Sequence, residues 1–205
     1  MGVVDWVNKA IRRIPVWLIY AGLMVPAGWD FWRAINGQLG VDPVKALEHS
    51  YGLWALWLLI AGLLVTPLRR FAGLNLLRLR RSIGLMAFFY VVAHLMVWAI
   101  LDVQQLSAIV ADILKRPYIT IGMVGFALLV PLAVTSNDWS VRRMGRSWRR
   151  LHKLVYPAAV LGGVHYVMLV KGWQQEPLIY LAAIFAILGL RALPKARATP
   201  SRQPA

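Results

Sequence analysis

Six stretches of the chain run for nearly 20 residues with hardly a charge, and the charged residues collect in the short segments between them. The stretches fall at residues 14–29, 49–68, 82–101, 118–136, 151–170 and 177–193. A helix rising 1.5 Å per residue needs about 20 residues to cross roughly 30 Å of hydrocarbon, so the pattern predicts six transmembrane helices. The first and last are short for a span, and Pro15 and Pro26 interrupt the first. The predicted fold is therefore all-α, an integral membrane six-helix bundle. The N-terminal basic stretch and apolar run have the outline of a secretory signal. The run leads into PAGWDFWR without a small-x-small cleavage site, so it is read as an uncleaved first span.

The connecting segments alternate in charge. Lys9, Arg12 and Arg13, then Arg69, Arg70, Arg78, Arg80 and Arg81, then the cluster RRMGRSWRRLHK, then Arg191, Lys195, Arg197 and Arg202 all fall on one side. The other side carries Arg33, Lys45, Lys115, Arg116 and Lys171 together with most of the acids: Asp30, Asp42, Glu48, Asp102, Asp112 and Glu176. Short cytoplasmic loops are enriched in Lys and Arg, which places both termini inside and three loops outside. For most of these arginines topology is sufficient explanation. The dense cluster before residue 153 could in addition bind anionic lipid, heme propionates or a cytoplasmic partner.

Composition sharpens the picture. The chain of 205 residues is 60% hydrophobic with a formal charge of +15, too apolar for an ordinary soluble domain. A nucleic-acid binder would carry its cations on amphipathic elements, not in blocks between uncharged runs, so nucleic acid is not an expected partner. The absence of cysteine excludes disulfides, thiolate metal sites, iron–sulfur clusters and covalently attached c-type heme. The segment PKARATPSRQPA cannot build a core, and residues 194–205 are expected to be a disordered tail. There is no soluble domain and no internal repeat, so the chemistry is expected in or at the bilayer.

Four histidines remain, and polar groups at bilayer depth are costly and usually functional. His94 lies in the third stretch, seven residues before Leu101; His165 lies in the fifth, six before Lys171. Both stretches run from inside to outside, so the two imidazoles sit at nearly one depth, about 10 Å below the outer boundary. Such a pair can ligate heme iron from both faces of the macrocycle. His152, about 20 Å back along the fifth helix from His165, is a candidate ligand near the inner surface, with a capping role as the competing reading. His49, at the outer start of the second stretch, reads as a surface residue or a proton-accepting group in a quinol pocket. Trp29, Trp32, Trp98 and Trp173 read as interface anchors, and Met96 and Met168 as apolar filler, not sulfur ligands.

The string YITIGMVGFALLVPLAVTSNDWSVRRMGRSWRRLHKLVYPAAVLGGVHYV, with TPLRR and RRSIGLMAFFYVVAH, closely resembles the heme-binding membrane subunits of bacterial periplasmic methionine sulfoxide reductase systems, the MsrQ (YedZ) family. More broadly it is similar to the ferric reductase-like transmembrane cytochromes b, with residues 1–193 forming that domain. The resemblance implies an inner-membrane, multi-pass heme b protein that passes electrons to a periplasmic molybdopterin enzyme reducing methionine sulfoxide in oxidised proteins. It implies supply from the quinone pool or a cytoplasmic flavin reductase, and an associated FMN. Carried over by residue, iron would be ligated by His94 and His165, and a second, inner iron by His152. In the broader superfamily a histidine stands thirteen or fourteen residues before the third-span ligand; here those positions are Arg81 and Arg80, and arginine is a poor iron ligand. One heme is thus better supported than two, with Arg80 and Arg81 in the neighbourhood of any inner one.

On this reading the chain carries electrons and the sulfoxide chemistry belongs to its partner. A ferric or metal reductase is the first rival, although the chain lacks the glycine-rich nucleotide fingerprint of a fused flavin and nicotinamide domain. A proton-coupled small transporter without heme is the second.

Overall fold

Prolines and glycines punctuate this chain where its helices begin, bend and stop. The computed structural model describes residues 2–170 and 174–193; the expectations for Lys171, Trp173 and the tail from 194 lie outside the described residues. Among the described residues the regular structure is entirely helical.

Helix α1 (Val3–Arg13) opens with the Asp5 carboxylate accepting the Gly2 N–H at 3.2 Å. Pro15 disfavours helical geometry at the residue before it, and Ile14 is extended there with ψ 119°. The chain turns by 88° into α2 (Val16–Ile35). The basic N-terminal stretch is therefore a separate helix set across the first span. Asn8 pins it to the turn that follows residue 71, donating from Nδ2 to the Gly73 carbonyl at 3.0 Å and accepting the Asn75 N–H at 2.8 Å.

Helix α3 (Pro43–Phe71) starts at Pro43, whose missing N–H costs nothing in a first turn. Asp42 caps it by accepting the Lys45 N–H at 3.0 Å. Helix α4 (Arg80–Met96) follows a 3₁₀ turn at Leu77–Leu79 and is prolonged by a π-helical turn, Val97–Val103, that ends on Gln104 in the left-handed region. The next segment, predicted as a loop, forms α5 (Leu106–Lys115) before α6 (Pro117–Val134). Asn137 caps α7 (Asp138–Met144) through the Ser140 N–H, Gly145 turns the chain at φ 51°, and α8 (Arg146–Leu151) follows. The fifth predicted span is divided. Pro157 has no N–H for the Lys153 carbonyl, and the chain tightens into a 3₁₀ turn at His152–Leu154 before α9 (Val155–Leu169). Helix α10 (Gln175–Ala192) completes the bundle.

Among the described residues, four helical stretches are long and apolar enough to cross a membrane: Pro43–Phe71, Leu77–Val103, Pro117–Val134 and Gln175–Ala192. The bent pair of α1 and α2 makes a fifth when taken as one span. At 15 residues, α9 is about 22 Å long and falls below that length by itself.

Helix α3 is central because it belongs to both halves of the core. On one side Leu47, Tyr51, Ala55 and Leu59 pack with Met86, Ala87 and Tyr90 of α4 and Leu129 of α6. On the other, Leu56 and Leu63 pack with Ala159 and Tyr166 of α9 and Ile184 of α10. Gly163 lets α9 close on α10: a Cβ there would stand 2.9 Å from Leu181. Arg191 ties the ends together, donating to the Leu63 carbonyl at 2.7 Å and to the Tyr156 hydroxyl at 2.9 Å. That carbonyl is available because Pro67, one turn on, has no N–H to offer it.

Candidate functional site

Small residues on three helices leave a cavity of about 560 Å³, within the range of sites that enclose a cofactor-sized ligand. Gly52 and Ala55 of α3, Gly122 and Gly125 of α6, and Ala158 and Gly162 of α9 form much of its wall. Val91 and His94 bring α4 to it, and His165 faces in from α9.

His94 and His165 meet across this space with ring centres 6.2 Å apart and planes at 83°. A metal atom bonded at about 2 Å to one nitrogen of each ring, with each ring centre roughly 1 Å farther, would hold the centres about 6 Å apart. The spacing therefore fits one iron held from both sides. His94 Nδ1 lies 2.8 Å from the Glu48 carbonyl oxygen, and His165 Nδ1 lies 2.7 Å from that of Tyr118. A carbonyl only accepts, so each Nδ1 carries the proton and each Nε2 keeps its lone pair. This is the arrangement in which an outer-shell acceptor fixes a metal-binding imidazole. The expected pair is thus brought together, on the two helices whose depths match.

The mouth of the cavity is charged. Lys45 Nζ bridges Glu48 at 3.2 Å and Asp102 at 2.5 Å, joining the start of α3 to the π-helical end of α4. Arg116 pairs with Asp112 at 3.2 Å and also lines the cavity. Arg33 lies 3.9 Å from Asp30, so Arg33, Lys45 and Arg116 at this acid-rich end each have a carboxylate partner. His49 stands at the same mouth, its ring centre 5.6 Å from that of Tyr166. Trp98 is buried and lines the cavity, where an interface anchor was expected; Trp29 and Trp32 are exposed and stack on each other. Met96 and Met168 are exposed and do not line the cavity.

His152 has different surroundings. Its ring lies on the Trp148 indole with centres 3.9 Å apart, and its Nε2 is 3.0 Å from Thr135 Oγ1. Trp148 Nε1 donates to the Thr135 carbonyl at 2.9 Å, so three side chains lock the start of α9 to the end of α6. Arg80 is close enough to His152 and Arg191 to act on both electrostatically. Arg81 points away from them and pairs with Asp138 at 2.7 Å, holding that carboxyl below the usual carboxylate range. Ser82 Oγ, one residue further, is buried with no hydrogen-bond partner among the described residues. His152 does not line the cavity between His94 and His165.

Several participants carry no side-chain signature in the sequence. The acceptors for both imidazoles are backbone carbonyls, and Gly52 and Gly122 matter by what they lack. Thr135 and Trp148 could have been suspected only from knowing that α6 and α8 meet beside His152.

Residues 51–163 match the family model described as ferric reductase like transmembrane component. The proteins named protein-methionine-sulfoxide reductase heme-binding subunit MsrQ from Brucella ovis, Brucella canis and Brucella suis are each 54% identical to the chain over 174 residues, covering 84% of it and 79% of the relative. No solved structure matches the chain at a significant level. With a family model over more than half its length and this identity over most of it, the chain is a multi-pass membrane protein that belongs to the MsrQ family of ferric-reductase-like transmembrane components.

Proposed function

We propose that the protein is the heme b subunit of a methionine sulfoxide reductase system and carries electrons across the inner membrane. The observation that carries this is the facing pair His94 and His165, spaced for one iron and each fixed through Nδ1 to a carbonyl. Heme bound there would supply a one-electron carrier whose potential is set by its ligands and burial. The chain's residues do the rest. The Glu48 and Tyr118 carbonyls would orient the imidazoles and the apolar wall would keep water from the iron, while Lys45 and Arg116 at the mouth would meet heme carboxylates only by exchanging their present partners Glu48, Asp102 and Asp112.

The proposed topology has six spans, with α9 crossing together with the 3₁₀ turn and α8 before it, and both termini cytoplasmic. Electrons then enter from the quinone pool or a cytoplasmic flavin reductase and leave to a periplasmic molybdopterin enzyme that performs sulfoxide reduction and repairs oxidised proteins. His49, beside Tyr166 at the mouth, is the proposed proton acceptor for a quinol. His152 is the proposed ligand of a second, inner heme near Arg80, and using it requires exchange of its bond to Thr135. FMN is proposed as a further cofactor of the subunit, as the family resemblance implies. The membrane lipids are the remaining partners.

The test is a reduced-minus-oxidised spectrum of purified protein with heme counted per chain, followed by electron delivery to a purified periplasmic sulfoxide reductase. A heme b spectrum with delivery is expected. A spectrum with electrons passing only to ferric chelates would make the protein a metal reductase. A chain without any Soret band would leave the intramembrane histidines to a proton-coupled transporter.

A further inference from the structure

The geometry points to Gly52 and Gly122 as positioning residues for the two imidazoles: each keeps open the helix surface through which a histidine Nδ1–H reaches a backbone carbonyl. The inference rests on the heme-site reading above. The accepting carbonyls belong to Glu48 and Tyr118, and each lies four residues before its glycine. Side chains on an α-helix lean toward its N-terminus, so the residue at i+4 covers the turn that holds carbonyl i. A Cβ at either glycine would stand in the path of the ring. At Gly122 it would lie 2.8 Å from His165 Nδ1 and 3.0 Å from Cε1; at Gly52 it would lie 3.2 Å from His94 Nδ1 and 3.4 Å from Cε1. Neighbouring glycines do nothing similar. Gly84 on α4 has nothing within 4 Å of such a Cβ, and Gly62 on α3 meets only Ile83 at 3.9 Å.

The device occurs twice, on independent helix pairs: α3 serves the histidine of α4, and α6 serves that of α9. In an ordinary helix, alanine in place of glycine favours the helix. Here it would push a ring off its acceptor. Loss of the Nδ1–H···O bond releases the ring orientation and makes Nε2 a weaker donor, which loosens iron and favours its reduced form.

Full-length Gly122→Ala, Gly52→Ala and the control Gly84→Ala are purified beside wild type, His94→Ala and His165→Ala. Heme per chain, the low-spin electron paramagnetic resonance signal and the midpoint potential are measured for each. Gly84→Ala should match wild type, Gly52→Ala should keep heme with a raised potential, and Gly122→Ala should retain heme about tenfold less well or worse. If wild type holds no heme, or the histidine variants keep it, the site reading fails and takes the inference with it. If the histidine variants lose heme while Gly52→Ala and Gly122→Ala match Gly84→Ala in content and potential, the positioning role is overturned and the site stands. Should Gly122→Ala fail to accumulate, the potential of Gly52→Ala, where the contact is milder, decides between the two.

Discussion

At the acid-rich end of the bundle two imidazoles face each other 6.2 Å apart, each with its Nδ1 proton given to a carbonyl. At the arginine-rich end a single imidazole lies flat on Trp148 with its Nε2 against Thr135. The same side chain is thereby prepared in opposite senses. Where the backbone takes Nδ1, the outer nitrogen keeps a lone pair directed at a cavity; where a hydroxyl takes Nε2, the ring serves as a structural strut until that bond is exchanged. The two ends thus differ in which ring nitrogen the surroundings occupy.

The strongest way to break this comparison is to remove the rings. His94→Ala or His165→Ala should cut heme per chain by at least about tenfold, measured by pyridine hemochromogen. His152→Ala should leave the low-spin signal of the facing pair intact and remove at most the heme held at the other end. A collapse of the whole spectrum in His152→Ala would invert the ranking of the two ends.

Smaller changes sharpen it. Arg191→Leu deletes a charged donor to the Leu63 carbonyl and the Tyr156 hydroxyl at the arginine-rich end. It should cost about 2–3 kcal/mol of stability, read as a fall in thermal midpoint in detergent, with the heme spectrum of surviving protein unchanged. Lys45→Met uncovers the carboxylates of Glu48 and Asp102 at the cavity mouth. Heme should stay bound while its potential falls, because added negative charge favours ferric iron; an unchanged potential in redox titration would place that cluster outside the field of the iron. The weakest effect belongs to Asp138. Its depressed carboxyl stabilises the fold above the ordinary carboxylate range, and that contribution is lost as pH falls through the lowered value. Both groups of the pair are exposed, so Asp138→Asn should lower the thermal midpoint at neutral pH only slightly, and less at acid pH where the carboxyl is already protonated.

Much of the fold was legible because hydrocarbon thickness dictates helix length. The predicted spans at 49–68, 82–101, 118–136 and 177–193 fall within or along Pro43–Phe71, Leu77–Val103, Pro117–Val134 and Gln175–Ala192. The first and fifth were less legible because proline acts locally. Pro15 sets α1 across α2 at 88°, and the chain tightens into a 3₁₀ turn just ahead of Pro157, outcomes that hydropathy does not register. The membership of the MsrQ family, expected from the motifs of α4, α6 and α9, is borne out over most of the chain.

The sequence by itself determined the number and placement of apolar runs, the segregation of arginines from acids, and the matched depth of His94 and His165, because each depends on position along a helix of fixed rise. Tertiary structure decided which way those helices rotate. In α9 nearly every residue is apolar, so no stripe announces the face that carries His165 inward, and only packing of Gly163 on α10 and Gly125 against Leu161 sets it. Rotation in turn decided that Trp98 is buried, that Arg81 turns to Asp138, and that carbonyls bared by Gly52 and Gly122 receive the two imidazoles. A backbone acceptor has no residue identity, and only the fold can assign it.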